Sequence, residues 1–252
     1  MSKETRLFTD IGAEWVRESI EGMQPHYTAV SLDDFPEEIL RARQMVAERY
    51  LDLGKIAPEQ IAPDGTLATD AYADKSRYFG VYDQAGEMVA TTRMIWWPES
   101  SVDDLLLPLD CLAEGEADAL RALAPGRVAE VGGFVKQPGV PTLATLKVMR
   151  ELFHYAHQQD VQYVVCGLDP VMAEKFYARI FEWAFQPLSD EDMNFPGYKG
   201  VQRPYKIDVP ATFSRERAEK RRVSSLGERA VSLFIRGYFR SAPDTPIRIA
   251  KF

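Results

Sequence analysis

The spacing of apolar residues changes several times along the chain, and each change marks an element. Tyr27 to Leu32 (YTAVSL) is rich in apolar and β-branched residues and predicts a strand. PEEILRARQMVAERYLDLG follows at helical spacing, with proline at its start, acids in the first turn and Gly54 at the stop. Residues 55–76 read as loop. YFGVYDQAGEMVATTRMIWW then gives strand, a turn at DQAG, and strand, which is the pattern of a hairpin. Residues 98–126 form a Leu- and Asp-rich insert with room for one or two short helices.

The second half reads as strand, Gly-rich turn, helix, strand, helix, strand. VAEVGGFV (Val128 to Val135) alternates apolar residues around Glu130. Gly132 and Gly133 are costly in a regular strand and point to a bulge or a close approach. KQPGVP is punctuation, and Pro141 or Thr142 starts the next helix. Leu143, Leu146, Met149, Leu152, Phe153 and Ala156 then keep helical spacing as far as His157. YVVC (Tyr163 to Cys166) is continuously apolar, as a strand buried on both faces should be. A helix between two such strands implies a right-handed crossover and parallel pairing. AEKFYARIFEWAFQPL predicts a helix carrying Tyr177 and a short strand opening at Phe185, and GYKGVQRPYKIDV a last strand. A helical tail is expected from about Ser214 to Tyr238, and residues 1–26 are a polar lead-in with one helical segment around Ala13 to Ile20. The expected division is lead-in 1–26, a central α/β (α+β) domain 27–210 and an extension 211–252.

Composition narrows the function classes. The chain has 252 residues, enough for one large domain with a sizeable core, and its 46% hydrophobic and 27% charged fractions are those of a soluble globular protein. No apolar run is long enough to span a bilayer, the N-terminus lacks a signal-peptide pattern, and cytoplasmic residence is expected. The net charge of -8 argues against nucleic-acid binding. Cys111 and Cys166 lack metal-ligand spacing, and His26, His154 and His157 form no ligand pattern, so no metal is expected.

The element order resembles that of the GNAT acyltransferase superfamily, which implies a mixed central sheet with helices on both faces and acyl transfer from a thioester. AEKFYARIFEWAFQPL resembles the superfamily's fourth-helix signature through Ala173, Phe176, Tyr177 and Phe185, with Ala184 where a glycine is usual. Over roughly residues 27–209 the chain looks like the branch holding N-acyl amino acid synthases and acyl-homoserine lactone (autoinducer) synthases. RARQMVAERYLDLG resembles their first helix, DKSRYFGVYD with TTRM their acidic-Arg hairpin entry, and AEVGGFV their Glu-bearing fourth strand. Gly133 stands where lactone synthases usually carry Arg, and Leu53 near their Trp, which favours the N-acyl amino acid side.

Acyl transfer needs a neutral amine, a stabilised oxyanion and a protonated leaving thiol. Glu130 is the candidate base, the backbone at Gly133 and Phe134 the candidate oxyanion donor, and Tyr177 the candidate acid, each with a purely structural alternative. By resemblance, Arg77 and Arg93 are cations for an acceptor carboxylate, with Asp74 orienting Arg77 or meeting the acceptor ammonium. Trp96 and Trp97 end one strand and should face opposite sides of the sheet, either in the core or along an acyl tunnel. Cys166 reads as a small core residue.

The donor is read from the loop after the fourth strand. Coenzyme A enzymes of the superfamily hold pyrophosphate there on backbone N–H groups, but Pro138 and Pro141 each remove a donor. That favours an acyl-carrier-protein thioester, with its single phosphate, over acyl-CoA as co-substrate, and no tightly bound cofactor. RERAEKRR, with Arg217, Arg221 and Arg222, is either a solvated helix face or a docking patch for an acidic carrier. The expected activity is transfer of a medium or long acyl chain to an amino acid amine. The alternatives are an acetyl-CoA-dependent N-acetyltransferase, a lactone synthase and a non-catalytic binding module of the same fold.

Overall fold

The computed structural model describes residues 27–177, 184–194, 199–213 and 238. The lead-in and the basic run with Arg217, Arg221 and Arg222 lie outside the described residues.

The first elements follow their sequence signals. β1 (Tyr27–Ser31) leads into α1 (Pro36–Asp52), which has Pro at its first turn with Glu37 and Glu38, and Arg49 in its last turn. These charges complement the helix dipole. β2 (Ser76–Asp83) and β3 (Met88–Ile95) form the expected hairpin. Its turn is held by Asp83 Oδ1, which accepts from the N–H groups of Ala85 at 2.9 Å and Glu87 at 3.0 Å, while Gly86 takes φ 79°. The insert contains two 3₁₀ turns and α2 (Glu116–Arg121). Then come β4 (Val128–Lys136), α3 (Thr142–Gln158) and β5 (Tyr163–Leu168), with β5 parallel to β4. A helical turn α4 (Pro170–Met172) runs into a π-helical turn over Ala173–Tyr177. β6 (Phe185–Pro187), β7 (Met193–Asn194), β8 (Val201–Asp208) and α5 (Val209–Phe213) complete the described chain.

The strands form one mixed sheet in the order β1-β2-β3-β4-β5-β8-β6, with β7 also paired to β8. Alternation sends the two faces to different partners. Phe79, Val81, Met94, Trp96, Ala129 and Val164 pack with α3 residues Leu146, Leu152 and Phe153. On the opposite face Tyr78 and Tyr82 pack with Ala42 of α1, while Ile95, Val128 and Val165 pack with Val102, Leu105, Leu107 and Leu120 of the insert. The sheet therefore has α3 on one side and α1 plus the insert on the other.

Two departures from regular pairing occur in β4. Thr91 pairs with Val135 and Arg93 with Gly132, so Thr92 stands opposite both Gly133 and Phe134. This is a bulge, and Gly133 sits at φ 61°, the left-handed conformation that bulges of this kind assign to glycine. Its Cα also faces α1: a Cβ there would come within 3.3 Å of Val46 Cγ2. The second departure is on the other edge. β4 and β5 pair only at Val128–Tyr163, Ala129–Val164 and Glu130–Val165. Past Glu130 the two strands separate, while β5 stays paired to β8 as far as Leu168.

Candidate functional site

A cavity of about 640 Å³ occupies the gap between the separated strands. Its walls include Val131 to Lys136 from β4, Cys166 to Leu168 from β5, Met149, Leu152 and Phe153 from α3, and Arg49 and Tyr50 from α1 with Leu53 just past its end. Because α1 and α3 cover opposite faces, the cavity passes through the sheet. The α3 side is mainly apolar, with Cys166 and Tyr177 in its cluster, and Glu130 and Arg93 lie on the opposite face.

Glu130 is the most strongly determined of these. It sits at the last paired position of β4, on the insert-side face, and only 3% of it is exposed. The Leu106 and Leu107 backbone N–H groups donate to its Oε2 at 2.7 and 3.0 Å. Burial pushes the carboxyl upward, the two N–H donors and Arg93 pull it back, and the balance lies at about 7. A carboxyl poised there exchanges protons readily near neutrality.

Arg93 shares that face, two residues along β3 from Ile95, which pairs with Glu130. Its Nη1 donates to Asp70 Oδ2 at 2.5 Å, and both side chains are nine-tenths buried. Burial works against the guanidinium charge, but the Asp70 carboxylate outweighs it, and the arginine is held firmly protonated. Tyr177 reaches the cavity from the π-helical turn; burial, and after it the neighbouring Cys166, raise its phenol well above the ordinary range. Cys166 is buried beside it, with a thiol pushed up to about 12 by burial and by Glu130. Gly133 and Phe134 line the cavity at the bulge. The Gln137 N–H donates to Val89 O on β3 at 2.9 Å, so alternation directs the Phe134 N–H the other way, into the gap.

Glu130, Tyr177, Gly133, Phe134 and Arg93 are thus brought together. Four other sequence candidates are not. Asp74 is exposed on a 3₁₀ turn, and Arg77 lies on the outer part of β2, 3.8 Å from Asp33; neither lines the cavity. Trp96 and Trp97 do face opposite sides of the sheet, but both pack in the core. Trp96 donates Nε1–H to Gly126 O at 2.8 Å and meets Tyr155 edge-on, and Trp97 joins the insert cluster with Lys75 over its ring. The strand ends at Ile95, so the two rings are carried past the cavity. The expected coenzyme A loop is a tight turn: Gln137 and Val140 spend their N–H groups on Val89 and Gln137 carbonyls, and Pro138 and Pro141 have none. His154 and His157 pack their rings on Phe213. Among the described residues no group of His, Cys, Asp and Glu is placed to hold a metal, and no helix is long and apolar enough to cross a membrane.

Sequence reasoning missed Asp70, the insert N–H groups, and three basic residues of the cavity wall: Arg49, Lys55 and Lys136. Asp70 lay in a stretch read only as loop. Its partner Arg93 is on β3, and no spacing rule links the two.

The fold is shared with solved acyltransferases. FeeM, an N-acyl amino acid synthase from uncultured soil microbes, superposes with a TM-score of 0.57 at 19% identity, covering 74% of this chain and 93% of its own. The CoA-dependent acyl-homoserine lactone synthase BjaI gives 0.55 at 13% identity over 85% and 89% of the two chains. The lactone synthase LasI gives 0.51 at 13% identity over 73% and 89%. No curated protein sequence matches this chain. The family model described as N-acyl amino acid synthase FeeM matches residues 41–200, a span that holds most of α1 and Asp70, Arg93, Glu130 and Tyr177. The chain belongs to that family and is an acyltransferase of GNAT-like fold.

Proposed function

We propose that this enzyme transfers a medium or long acyl chain from an acyl-carrier-protein thioester to the amine of an amino acid. The observation that carries the reading is the cavity through the sheet, with Glu130 at the point where β4 and β5 part. A thioester arm is an extended chain with amide groups, and the unpaired edges of β4 and β5 offer it strand-like hydrogen bonds. The volume of about 640 Å³ and the apolar walls from α3 exceed what an acetyl group fills, so the size favours a longer chain.

In the proposed reaction Glu130, as carboxylate, takes a proton from the acceptor ammonium, directly or through one water. The neutral amine attacks the thioester carbonyl, and the Phe134 N–H donates to the oxyanion. Collapse breaks the C–S bond; Tyr177 protonates the departing thiolate and regains a proton from the new amide nitrogen as that nitrogen loses its positive charge, while Glu130 passes the first proton to solvent. Because Arg93 is engaged by Asp70, its charge serves chiefly to keep Glu130 from rising further, and the acceptor carboxylate falls to Arg49 or Lys55 on the α1 side. The proline-bearing turn after β4 supports a carrier rather than coenzyme A as donor, since it retains few N–H groups for a pyrophosphate.

The test is to supply purified protein with acyl-carrier thioester or acyl-CoA and a mixture of amino acids, and to read products by mass spectrometry. N-acyl amino acids formed faster from the carrier thioester are expected. Equal or faster use of acyl-CoA would overturn the donor assignment, and absence of any N-acyl product from either donor would overturn the reaction.

A further inference from the structure

Beside the large cavity, sharing Tyr50, Thr92, Arg93 and Gly133 with it, lies a second and much smaller chamber of about 20 Å³ between α1, β2 and β3. Its lining includes Arg43, Tyr78, Asp70 and Arg93. Arg43 Nε, Tyr78 Oη and Arg93 Nε are all buried without a hydrogen-bond partner. Tyr78 lies beside the Arg93 guanidinium without meeting hydrogen-bond geometry, and burial raises its phenol, so it too is a neutral O–H donor.

Three lining residues of one void that each carry a buried, unpaired donor is an unusual concentration, because buried polar groups are nearly always paired. An unmade buried bond is costly, so an occupant that accepts from all three is favoured. The occupant must be small. A water-sized guest needs about 10–15 Å³, and the chamber exceeds that only slightly. Its charge follows from the walls. Among the lining residues Arg43 and Arg93 bring two positive charges and Asp70 one negative, with Asp64 acting on Arg43 and Glu130 on Arg93 from outside the lining. Water would satisfy two of the three donors at best, whereas a monatomic anion beside the two guanidinium groups accepts from every side.

We propose that this chamber is a binding site for a small monovalent anion, chloride in ordinary buffers, seated between Arg43, Tyr78 and Arg93. The anion holds the Arg93 side chain while Asp70 holds its Nη1, and so fixes the charge that faces Glu130. The site would exist whether or not the chain makes N-acyl amino acids.

Crystals of the protein grown in sodium bromide test this directly. An anomalous peak in the chamber within contact of Arg43 and Arg93 is expected, and a chamber holding only water in bromide would overturn the assignment. In solution, exchanging gluconate for chloride at matched ionic strength should raise the melting temperature by roughly 2–4 °C in a saturable way. Tyr78→Phe and Arg43→Gln should each reduce that chloride-dependent rise, whatever they do to the starting stability. Equal melting in the two salts for the unaltered protein, or a rise that persists undiminished in both variants, would count against the proposal.

Discussion

The two halves of β4 belong to one nine-residue strand but have opposite characters. From Val128 to Glu130 it pairs with β5, meeting β3 as well at Glu130, and its side chains are buried. From Val131 to Lys136 it keeps β3 but loses β5, carries the bulge and lines a cavity. The first half is a rigid mount, and the second leaves unpaired backbone facing a space. The proposed chemistry sits at the junction, where Glu130 is buried like a core residue and still lines the cavity. A strand paired throughout would have no room for a thioester, and one open throughout would not hold a carboxyl at a raised pKa.

The largest expected effect breaks the junction itself. Glu130→Gln should lower kcat by about 10²–10⁴-fold, the range for a lost general base, as read by product formation under saturating donor. The same change reports on stability with a definite sign. Glu130 is raised from 4.5 to about 7 in the fold, so the native state binds the proton more tightly than the unfolded chain does. Stability from this group is fully present below about 4.5 and is lost as pH rises through about 7. The melting temperature of Glu130→Gln relative to the unaltered protein should therefore increase from mildly acidic to mildly alkaline pH; a constant difference would contradict the buried, protonatable carboxyl.

Next in size is the bulge. Gly133→Ala places a Cβ on a residue at φ 61° and within 3.3 Å of Val46, and should cost about 1–2 kcal/mol by chemical denaturation. Gly132→Ala is the control, because its Cβ meets nothing nearer than Arg93 Nε at 3.9 Å and should change stability by less than about 0.5 kcal/mol. Similar losses for both would show that the bulge has no special demand. Tyr177→Phe should slow turnover by roughly tenfold without weakening donor binding, a smaller effect because a thiolate leaves readily even unprotonated. Smallest of all, Arg77→Ala should change kcat/KM by less than about twofold, since its partner Asp33 is at 3.8 Å on the surface and such pairs contribute at most about 1 kcal/mol.

The same contrast explains what could be read from the sequence. The hairpin, the crossover helix and the parallel pair have local signals: a turn at Asp83 to Gly86, helical spacing from Leu143 to Ala156, and an apolar run at Tyr163 to Cys166. Gly133 announced the bulge because a positive φ demands glycine. Glu130 stood out as the one charge in an apolar strand, yet its donors, Leu106 and Leu107, lie in an irregular insert that no period describes. Arg93 was named but not its use, because Asp70 meets it only through the fold. Asp74 and Arg77 were carried by resemblance of a segment, and the turn and strand there place them outside the cavity. Trp96 and Trp97 were assigned to opposite faces by alternation alone, and alternation does not say where along the sheet a strand ends.

The pH dependence of acyl transfer, measured in single turnovers with pre-formed acyl-carrier thioester and an amino acid acceptor, tests the central claim most directly. Glu130 at the parting of β4 and β5 predicts a rate that climbs with pH and levels off above about 7 in the unaltered protein, and a slow rate without that step in Glu130→Gln. A profile of the same height and shape in both proteins would contradict it.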